Sequence, residues 1–143
     1  MEIVNEKTGM VVERDIWPPT NLYGTFEIGE GTTVGAFCDI GGKIGKNCKI
    51  QAGVKIPPLV SIGDNVFIGA DTVFTNDKYP PSNNLEETFV GYGAMIGANC
   101  TILPGLTIGK NSKLGAGSVL TKDLPIGETW VGVPAKPVTH ENK

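Results

Sequence analysis

The chain has 143 residues and a net charge of −3, and its twelve basic residues include one arginine, Arg14. A chain of this length favours one domain, which we assign to residues 1–143. Base reading and phosphate binding in nucleic-acid complexes depend heavily on arginine, so we expect no nucleic-acid partner. No apolar stretch approaches the ~20 residues of a membrane-spanning helix, and the N-terminus has no signal pattern. We therefore expect a cytoplasmic protein with no membrane partner.

Large apolar residues recur with a period of six along most of the chain. The series starts at Ile16, restarts after a step of four between Ile40 and Ile44, and pauses between Phe74 and Val90. Its seventeen members are aliphatic except for Phe74: Ile16, Leu22, Ile28, Val34, Ile40, Ile44, Ile50, Ile56, Ile62, Ile68, Phe74, Val90, Ile96, Ile102, Ile108, Leu114 and Leu120. A strict period of six is neither that of a helix nor that of a strand, and it is typical of a β-helix repeat.

Glycine follows the apolar residue in ten of the seventeen hexads: Gly29, Gly35, Gly41, Gly45, Gly63, Gly69, Gly91, Gly97, Gly109 and Gly115. Glycine at a fixed phase indicates a corner that needs an unusual φ or close packing. Each hexad is then one short strand and one corner, and three corners close a triangular coil. The sequence predicts an all-β triangular prism of about five to six coils over residues 16–126.

The three cysteines, Cys38, Cys48 and Cys100, all occupy the fifth place of a hexad, which takes small or apolar residues. We interpret them as inward-pointing filler rather than as disulfide or metal ligands. The only histidine, His140, lies near the C-terminus. We therefore expect no metal site.

The two ends of the chain leave the period. Residues 1–15 are polar and poorly periodic, and residues 127–143 contain two prolines. A solenoid needs its open ends covered, so we interpret both segments as caps.

The longest interruption of the repeat lies at residues 75–89, where the chain has ten residues more than one hexad contains. The extra residues predict a loop that projects from one corner, and loops on rigid scaffolds often carry function. Asn76, Asp77 and Tyr79 stand together at its start. Asp77 has an alternative role, because Asn-Asp pairs also favour turns that the aspartate caps.

The segment from Phe74 to Pro80, FTNDKYP, resembles the FTND-x-x-P segment of bacterial nucleotide-sugar N-acetyltransferases. The similarity continues through IGANCTILPG (96–105), LGAGSV (114–119), TKDLP (121–125) and VGVPAK (131–136), and covers about residues 28–138. The chain thus resembles the hexapeptide-repeat acyltransferases, whose fold is a single-stranded left-handed parallel β-helix. That handedness departs from the right-handed crossovers found in ~98% of parallel sheets.

The resemblance implies acetyl-CoA as the co-substrate and a homotrimer with active sites between subunits. It places the pantetheine arm at Ala98 and Ala116, with Thr121 and Lys122 near its middle. Lys136 would meet the nucleotide phosphates, since a flexible lysine serves as a point charge for them. Pro134 would pack near the adenine.

The chain departs from this branch at two places where the acceptor would be held. Many members have arginine after the first proline of the loop, where this chain has Pro81, and asparagine after a Lys-Ile-Gln triplet, where it has Ala52. The identity of the acceptor therefore stays open.

A hydroxyl acceptor needs a base, which many hexapeptide O-acetyltransferases supply with a histidine that the body of this chain lacks. A neutral sugar amine needs orientation rather than strong activation, so the sequence favours N-acetylation over O-acetylation. The resemblance further implies that the acceptor is an amino sugar, nucleotide-linked and destined for surface polysaccharide such as lipopolysaccharide. We expect Asp77 to accept a hydrogen bond and a proton from the amine, Asn76 to orient the sugar and Tyr79 to contribute a hydroxyl or a stacking face. O-acetylation with Asp77 as base and a catalytically silent trimeric scaffold remain the alternatives.

Overall fold

The computed structural model describes residues 2–4, 11–13 and 15–138, the first two ranges by backbone only. Their regular structure is entirely β. The strands are β1 Glu2–Val4, β2 Val11–Glu13, β3 Asp15–Ile16, β4 Asn21–Leu22, β5 Glu27–Ile28, β6 Thr33–Val34, β7 Asp39–Ile40, β8 Lys43–Ile44, β9 Lys49–Ile50, β10 Lys55–Ile56, β11 Val60–Ile62, β12 Phe67–Ile68, β13 Val73–Phe74, β14 Thr88–Val90, β15 Met95–Ile96, β16 Thr101–Ile102, β17 Thr107–Ile108, β18 Lys113–Leu114, β19 Val119–Leu120, β20 Thr129–Gly132 and β21 Ala135–Pro137.

The strands from β3 to β19 form three parallel sheets in which each strand pairs with the strand one coil later. The first face holds β3, β6, β9, β12, β15 and β18, the second β4, β7, β10, β13, β16 and β19, and the third β5, β8, β11, β14 and β17. This is a β-solenoid of about six turns, consistent with a left-handed β-helix. The predicted all-β parallel β-helix is confirmed.

Three rows of turns join the faces. The first corner joins the first face to the second, the second corner joins the second to the third, and the third corner leads back to the first face of the next coil. At the first and third corners a backbone N–H of each coil donates to a carbonyl of the preceding coil, as from Gly53 to Ala36 (2.9 Å) and from Asn65 to Lys46 (2.9 Å). The coils therefore stack as one continuous hydrogen-bonded column.

The hexad period accounts for the core. Every strand from β3 to β19 ends on a member of the apolar series, and all of these side chains are buried except Leu22, which packs partly buried against them. Fully burying such a side chain stabilises the fold by about 1.5–3 kcal/mol. The three cysteines are free and buried, and burial raises the pKa of each thiol, as expected for inert filler.

The second-place glycines serve close packing rather than an unusual φ. A Cβ added to Gly35 would lie 2.6 Å from the backbone nitrogen of Ala52, and one added to Gly97 would lie 2.6 Å from that of Ala116. Twelve of the fifteen left-handed φ values among the described residues occur two residues further on, at the fourth place of a hexad of the series: Gly31, Phe37, Asn47, Gly53, Leu59, Asn65, Asp71, Gly93, Asn99, Gly105, Asn111 and Gly117. Close packing between coils therefore constrains the second place of the hexad, and the left-handed φ constrains the fourth place.

The chain leaves the repeat at both ends of the prism. Strands β1 and β2 pair antiparallel, and at the other end β20 continues the first face beside β18 while β21 folds back antiparallel onto β20. The capping role of residues 1–15 and 127–143 stays a prediction, and residues 139–143, with His140, lie outside the described residues. Within residues 2–4, 11–13 and 15–138, no helix is long and apolar enough to span a membrane.

We expect Gly97→Ala to lower the free energy of unfolding by about 1–3 kcal/mol, because its Cβ would press on the backbone of the next coil. The control is Gly117→Asn, which adds more atoms at a fourth place with φ +72° and no atom within 4 Å of the new Cβ. Since asparagine tolerates this φ, the control should change stability by less than about 0.5 kcal/mol. Urea unfolding followed by circular dichroism measures both, and a larger loss for Gly117→Asn would contradict this division of the corner.

Candidate functional site

The predicted loop leaves the second corner after β13 and returns at β14, and its two arms pair with each other. Asn76 accepts a hydrogen bond from the N–H of Glu86 (2.9 Å), and Asp77 and Leu85 form an isolated antiparallel bridge. The Asn76 side-chain amide donates to the carbonyl of Pro58 on the preceding coil (3.0 Å). The loop is therefore an ordered excursion fastened to the prism at its base.

Asp77 closes the loop through Ser82. Its Oδ2 accepts the backbone N–H of Ser82 (2.8 Å) and its Oδ1 accepts the Ser82 hydroxyl (2.6 Å). The hydroxyl, with the N–H groups of Ser82 and Tyr79, lowers the pKa of Asp77 below its ordinary value of 3.8, against a smaller opposing effect of desolvation. Each carboxylate oxygen keeps a second lone pair, so Asp77 can still accept from a ligand, as an ionised and weakly basic group.

The loop encloses a cavity of about 540 Å³, here called the loop cavity. Its walls are Asp77, Lys78, Tyr79, Ser82, Asn83, Asn84, Leu85 and Glu86. Tyr79 is 76% exposed, and the Lys78 ammonium lies 5.6 Å from its ring centroid. Of the three residues predicted for the acceptor, Asp77 and Tyr79 line the loop cavity, whereas the Asn76 amide is used as an anchor at its base.

Six of the eight lining residues were not predicted, and among them Ser82 and Glu86 bear most on the chemistry of the loop cavity. Glu86 supplies a second carboxylate, and its Oε1 would lie 3.0 Å from a Cβ added to Gly105, so it reaches over the corner of the following coil. The spacing of Asp77 and Ser82 across two prolines could have suggested a capped turn. Nothing in the sequence distinguishes Glu86 from its neighbour Glu87.

Four of the residues predicted for the acetyl donor lie along the first corner. Ala98 and Ala116 occupy successive coils, joined by the hydrogen bond from Gly117 N–H to the Ala98 carbonyl (2.8 Å). They continue a column of third-place alanines that comprises Ala36, Ala52, Ala70, Ala98 and Ala116. The hairpin of β20 and β21 extends this edge, since Gly132 N–H donates to the Ser118 hydroxyl (3.0 Å), and it carries Pro134 at its turn and Lys136 on the returning strand.

The other two donor residues, Thr121 and Lys122, lie elsewhere. They follow β19 and form the last turn of the second corner, on the row that also holds the loop, and both are exposed. The second face lies between them and the alanine column. One copy of the chain therefore does not bring all six predicted donor residues together.

Among residues 15–138, no group of three or more His, Cys, Asp or Glu side chains is placed to hold a metal ion. The polar groups available in the loop cavity are two carboxylates, a serine hydroxyl, a phenol, a lysine ammonium and two asparagine amides.

The model of the bacterial transferase hexapeptide family (six repeats) matches residues 41–76 and 87–122, on either side of the loop. The chain is 37% identical over 112 residues to the bifunctional protein GlmU of Rubrobacter xylanophilus, covering 75% of this chain and 22% of the relative. It is 38% identical over 113 residues to protein CapG of Staphylococcus aureus, covering 69% and 66%. The chain thus spans about a fifth of the length of its GlmU relatives.

Solved structures share the fold. A histidine-to-asparagine variant of perosamine N-acetyltransferase from Caulobacter crescentus, in complex with CoA and GDP-perosamine, superposes with a TM-score of 0.78 at 27% identity, covering 92% of this chain and 59% of that one. The N-acyltransferase AntD from Bacillus cereus, in complex with dTDP and coenzyme A, gives a TM-score of 0.79 at 22% identity, covering 87% and 78%. At that identity the second likeness concerns the fold alone.

We expect Ser82→Ala to raise the pKa of Asp77 toward 3.8, because it removes the hydroxyl that contributes most to lowering it. A depressed pKa means that the Asp77 contacts stabilise the loop above pH 3.8 and are lost as the pH falls through the folded-state value. In Ser82→Ala this loss should therefore begin at a higher pH. Titration of the carboxyl carbon by NMR measures the shift, Ser61→Ala on the third face is the control, and an unchanged pKa would contradict the capping role.

Proposed function

The chain belongs to the bacterial transferase hexapeptide family, and from this we propose that it is an acetyl-CoA-dependent N-acetyltransferase whose acceptor is a nucleotide-linked amino sugar. The observation that supports this most is the 27% identity to perosamine N-acetyltransferase over 92% of the chain. That protein was crystallised with CoA and an amino-sugar nucleotide. Cytoplasmic location and a place in surface polysaccharide synthesis, such as that of lipopolysaccharide, belong to the same proposal.

The distribution of the donor residues supports a homotrimer with shared sites. Ala98 and Ala116 lie at the first corner, and Thr121 and Lys122 lie at the second. Prisms packed side by side about a threefold axis bring the first corner of one subunit toward the second corner of the next, which closes a ring with identical grooves. Each groove then holds one alanine column and one loop.

The alanine column suits the thin arm of acetyl-CoA. Methyl side chains let a ligand approach the backbone closely, and Ala116 is exposed while Ala98 is half-buried. Beyond the column, the exposed Lys136 offers a mobile positive charge for phosphates, and Pro134 offers an apolar surface for the adenine. Thr121 and Lys122 of the adjacent prism would contact the middle of the arm.

The reaction forms a C–N bond between the sugar amine and the acetyl carbonyl carbon and breaks the C–S bond of the thioester. The backbone N–H of Ala98 would stabilise the oxyanion, and one such donor is worth ~10²–10³ in rate. The amine loses one proton, which passes to a carboxylate of the loop cavity or to the departing thiolate. Asp77 is our candidate for the carboxylate, held in orientation by Ser82, and Tyr79 would hold the sugar.

We expect Asp77→Asn to lower kcat by ~10², the lower end of the range for general-base catalysis, with little change in KM, because the lowered pKa makes Asp77 a weak proton acceptor. Glu86→Gln is the matched comparison, since it neutralises the other carboxylate of the loop cavity. It should change kcat by less than about threefold if Asp77 is the base. Steady-state kinetics measures kcat and KM for both variants. If kcat of Asp77→Asn is near normal and that of Glu86→Gln is low, Glu86 accepts the proton. If kcat of both variants is near normal, the departing thiolate accepts it.

The test of the function as a whole is thiol release from acetyl-CoA in the presence of amino sugars and hydroxy sugars, each free and nucleotide-linked. Release with an amino-sugar nucleotide supports the proposal. Release with the hydroxy sugars alone would replace it with O-acetylation. The absence of acetyl-CoA binding would leave the silent trimeric scaffold.

We expect Lys136→Met to raise KM for acetyl-CoA about tenfold with kcat unchanged, because a charge–phosphate contact of ~1.4 kcal/mol is lost. The KM for acetyl-pantetheine, which lacks the nucleotide phosphates, should stay the same. Lys110→Met at the third corner is the control. A KM that rises equally for both thioesters would contradict the assignment of Lys136 to the nucleotide.

A further inference from the structure

The second corner holds a recess at the one place where the repeat is shortened. Between Ile40 and Ile44 the corner consists of Gly41 and Gly42, two residues fewer than a full hexad uses. Both glycines are buried, and a Cβ on Gly42 would lie 2.5 Å from the carbonyl oxygen of Val60. The short turn is thus drawn in against its neighbour, and a recess of about 430 Å³ opens beside it, here called the short-corner recess.

The walls of the short-corner recess combine charge, hydroxyl and apolar surface. Lys43, Ser61 and Phe89 are cross-strand neighbours on three successive strands of the third face, so their side chains project outward in one row. Lys43 is exposed, and Phe89 is 47% exposed. Glu87 also lines the recess. On its other side Lys43 is the cross-strand neighbour of Glu27, whose carboxylate competes with an anionic ligand for the Lys43 ammonium.

Leu59, also in the recess wall, has a backbone that its own side chain disfavours. Its φ is 75°, and among the described residues five of the seven non-glycine residues with such a φ are Asn or Asp. The side chain is 40% exposed, so burial in the core does not explain leucine there. Backbone strain of this kind clusters at functional sites, so the strained φ of Leu59 favours a functional role for this corner.

The short-corner recess adjoins the loop cavity. Glu86 lines the loop cavity and Glu87 lines the recess, so the returning arm of the loop forms a wall of each. The arm is fixed there, because Thr88 N–H donates to the carbonyl of Leu59 (3.0 Å). A ligand with two parts can therefore place one part in each.

We propose that the short-corner recess binds the nucleoside diphosphate of the acceptor, which makes the enzyme specific for nucleotide-linked rather than free amino sugars. Phe89 and Leu59 offer an apolar surface on which a base stacks. The Lys43 ammonium attracts the diphosphate, and the Glu87 carboxylate accepts from sugar hydroxyls. This assignment rests on the proposed function, since it supplies the handle by which the amino sugar reaches Asp77.

The direct test is binding of UDP, dTDP and GDP to the full chain, measured by calorimetry in the presence of saturating CoA. CoA occupies the donor groove and so removes binding that belongs there. We expect at least one diphosphate to bind, and Lys43→Gln and Phe89→Ala each to weaken it by about tenfold or more. Lys113→Gln, an exposed lysine on the first face, should leave the affinity unchanged.

Leu59→Asn separates binding from folding. Asparagine suits the left-handed φ and occurs at this place in other coils, so this variant should unfold at a higher temperature than the natural protein while binding the diphosphate more weakly. A variant that simply misfolds would lower both the unfolding temperature and the affinity for the diphosphate. An unchanged affinity in Leu59→Asn would remove this residue from the site.

Kinetics distinguishes the failure of this inference from that of the proposed function. With nucleotide-linked amino sugar, Lys43→Gln and Phe89→Ala should lower kcat/KM at least tenfold, and with the free amino sugar they should not. Equal losses on both acceptors, or diphosphate binding that neither variant weakens, overturn the recess assignment while acetyl transfer stands. If the diphosphate binds and Lys43→Gln weakens that binding, but no acceptor is acetylated, the proposed function is overturned. The assignment of the short-corner recess as a diphosphate site then stands.

Discussion

The stacking of one coil directly on the next is the constraint on which the rest of this molecule depends. The backbones meet at the second place of the hexad, where a Cβ on Gly97 would lie 2.6 Å from the nitrogen of Ala116. At the ten second places that are glycine, the absence of a Cβ lets the corners approach this closely while the strands keep their hydrogen-bonding register. The aliphatic interior follows, because each strand then delivers one side chain per coil to the axis.

Two or three places of each hexad specify the interior, so the residues at the corners are free to differ. The loop, the alanine column and the short turn beside the recess all lie at corners. The second corner carries both an insertion, the loop with Asp77, and a deletion at Gly41. The first corner keeps its length but is lined by alanines. The prism thus acts as a rigid frame whose edges present chemistry, in the way that loops do on other rigid scaffolds.

The sequence predicted those parts of the structure that the period determines, and it missed those that depend on closure of a particular turn. The strand ends at Ile16 through Leu120 follow from one repeated pattern, as does the burial of Cys38, Cys48 and Cys100. The sequence left open whether the second-place glycines serve an unusual φ or close packing, and the structure assigns close packing to the second place and most left-handed φ values to the fourth. The Ser82 cap on Asp77 and the position of Glu86 depend on how thirteen loop residues fold back, which no period encodes.

The coil stacking also sets the distances along the axis in discrete steps. Adjacent coils are separated by the ~4.8 Å spacing of neighbouring strands, so the offset between the loop at Phe74 and the hairpin that bears Lys136 changes in steps of that size when coils are added or removed. A gain or loss of one coil between them would move the two ends of the site apart or together by that amount and keep their angular relation. The length of ligand that spans the site can therefore change only in increments of one coil.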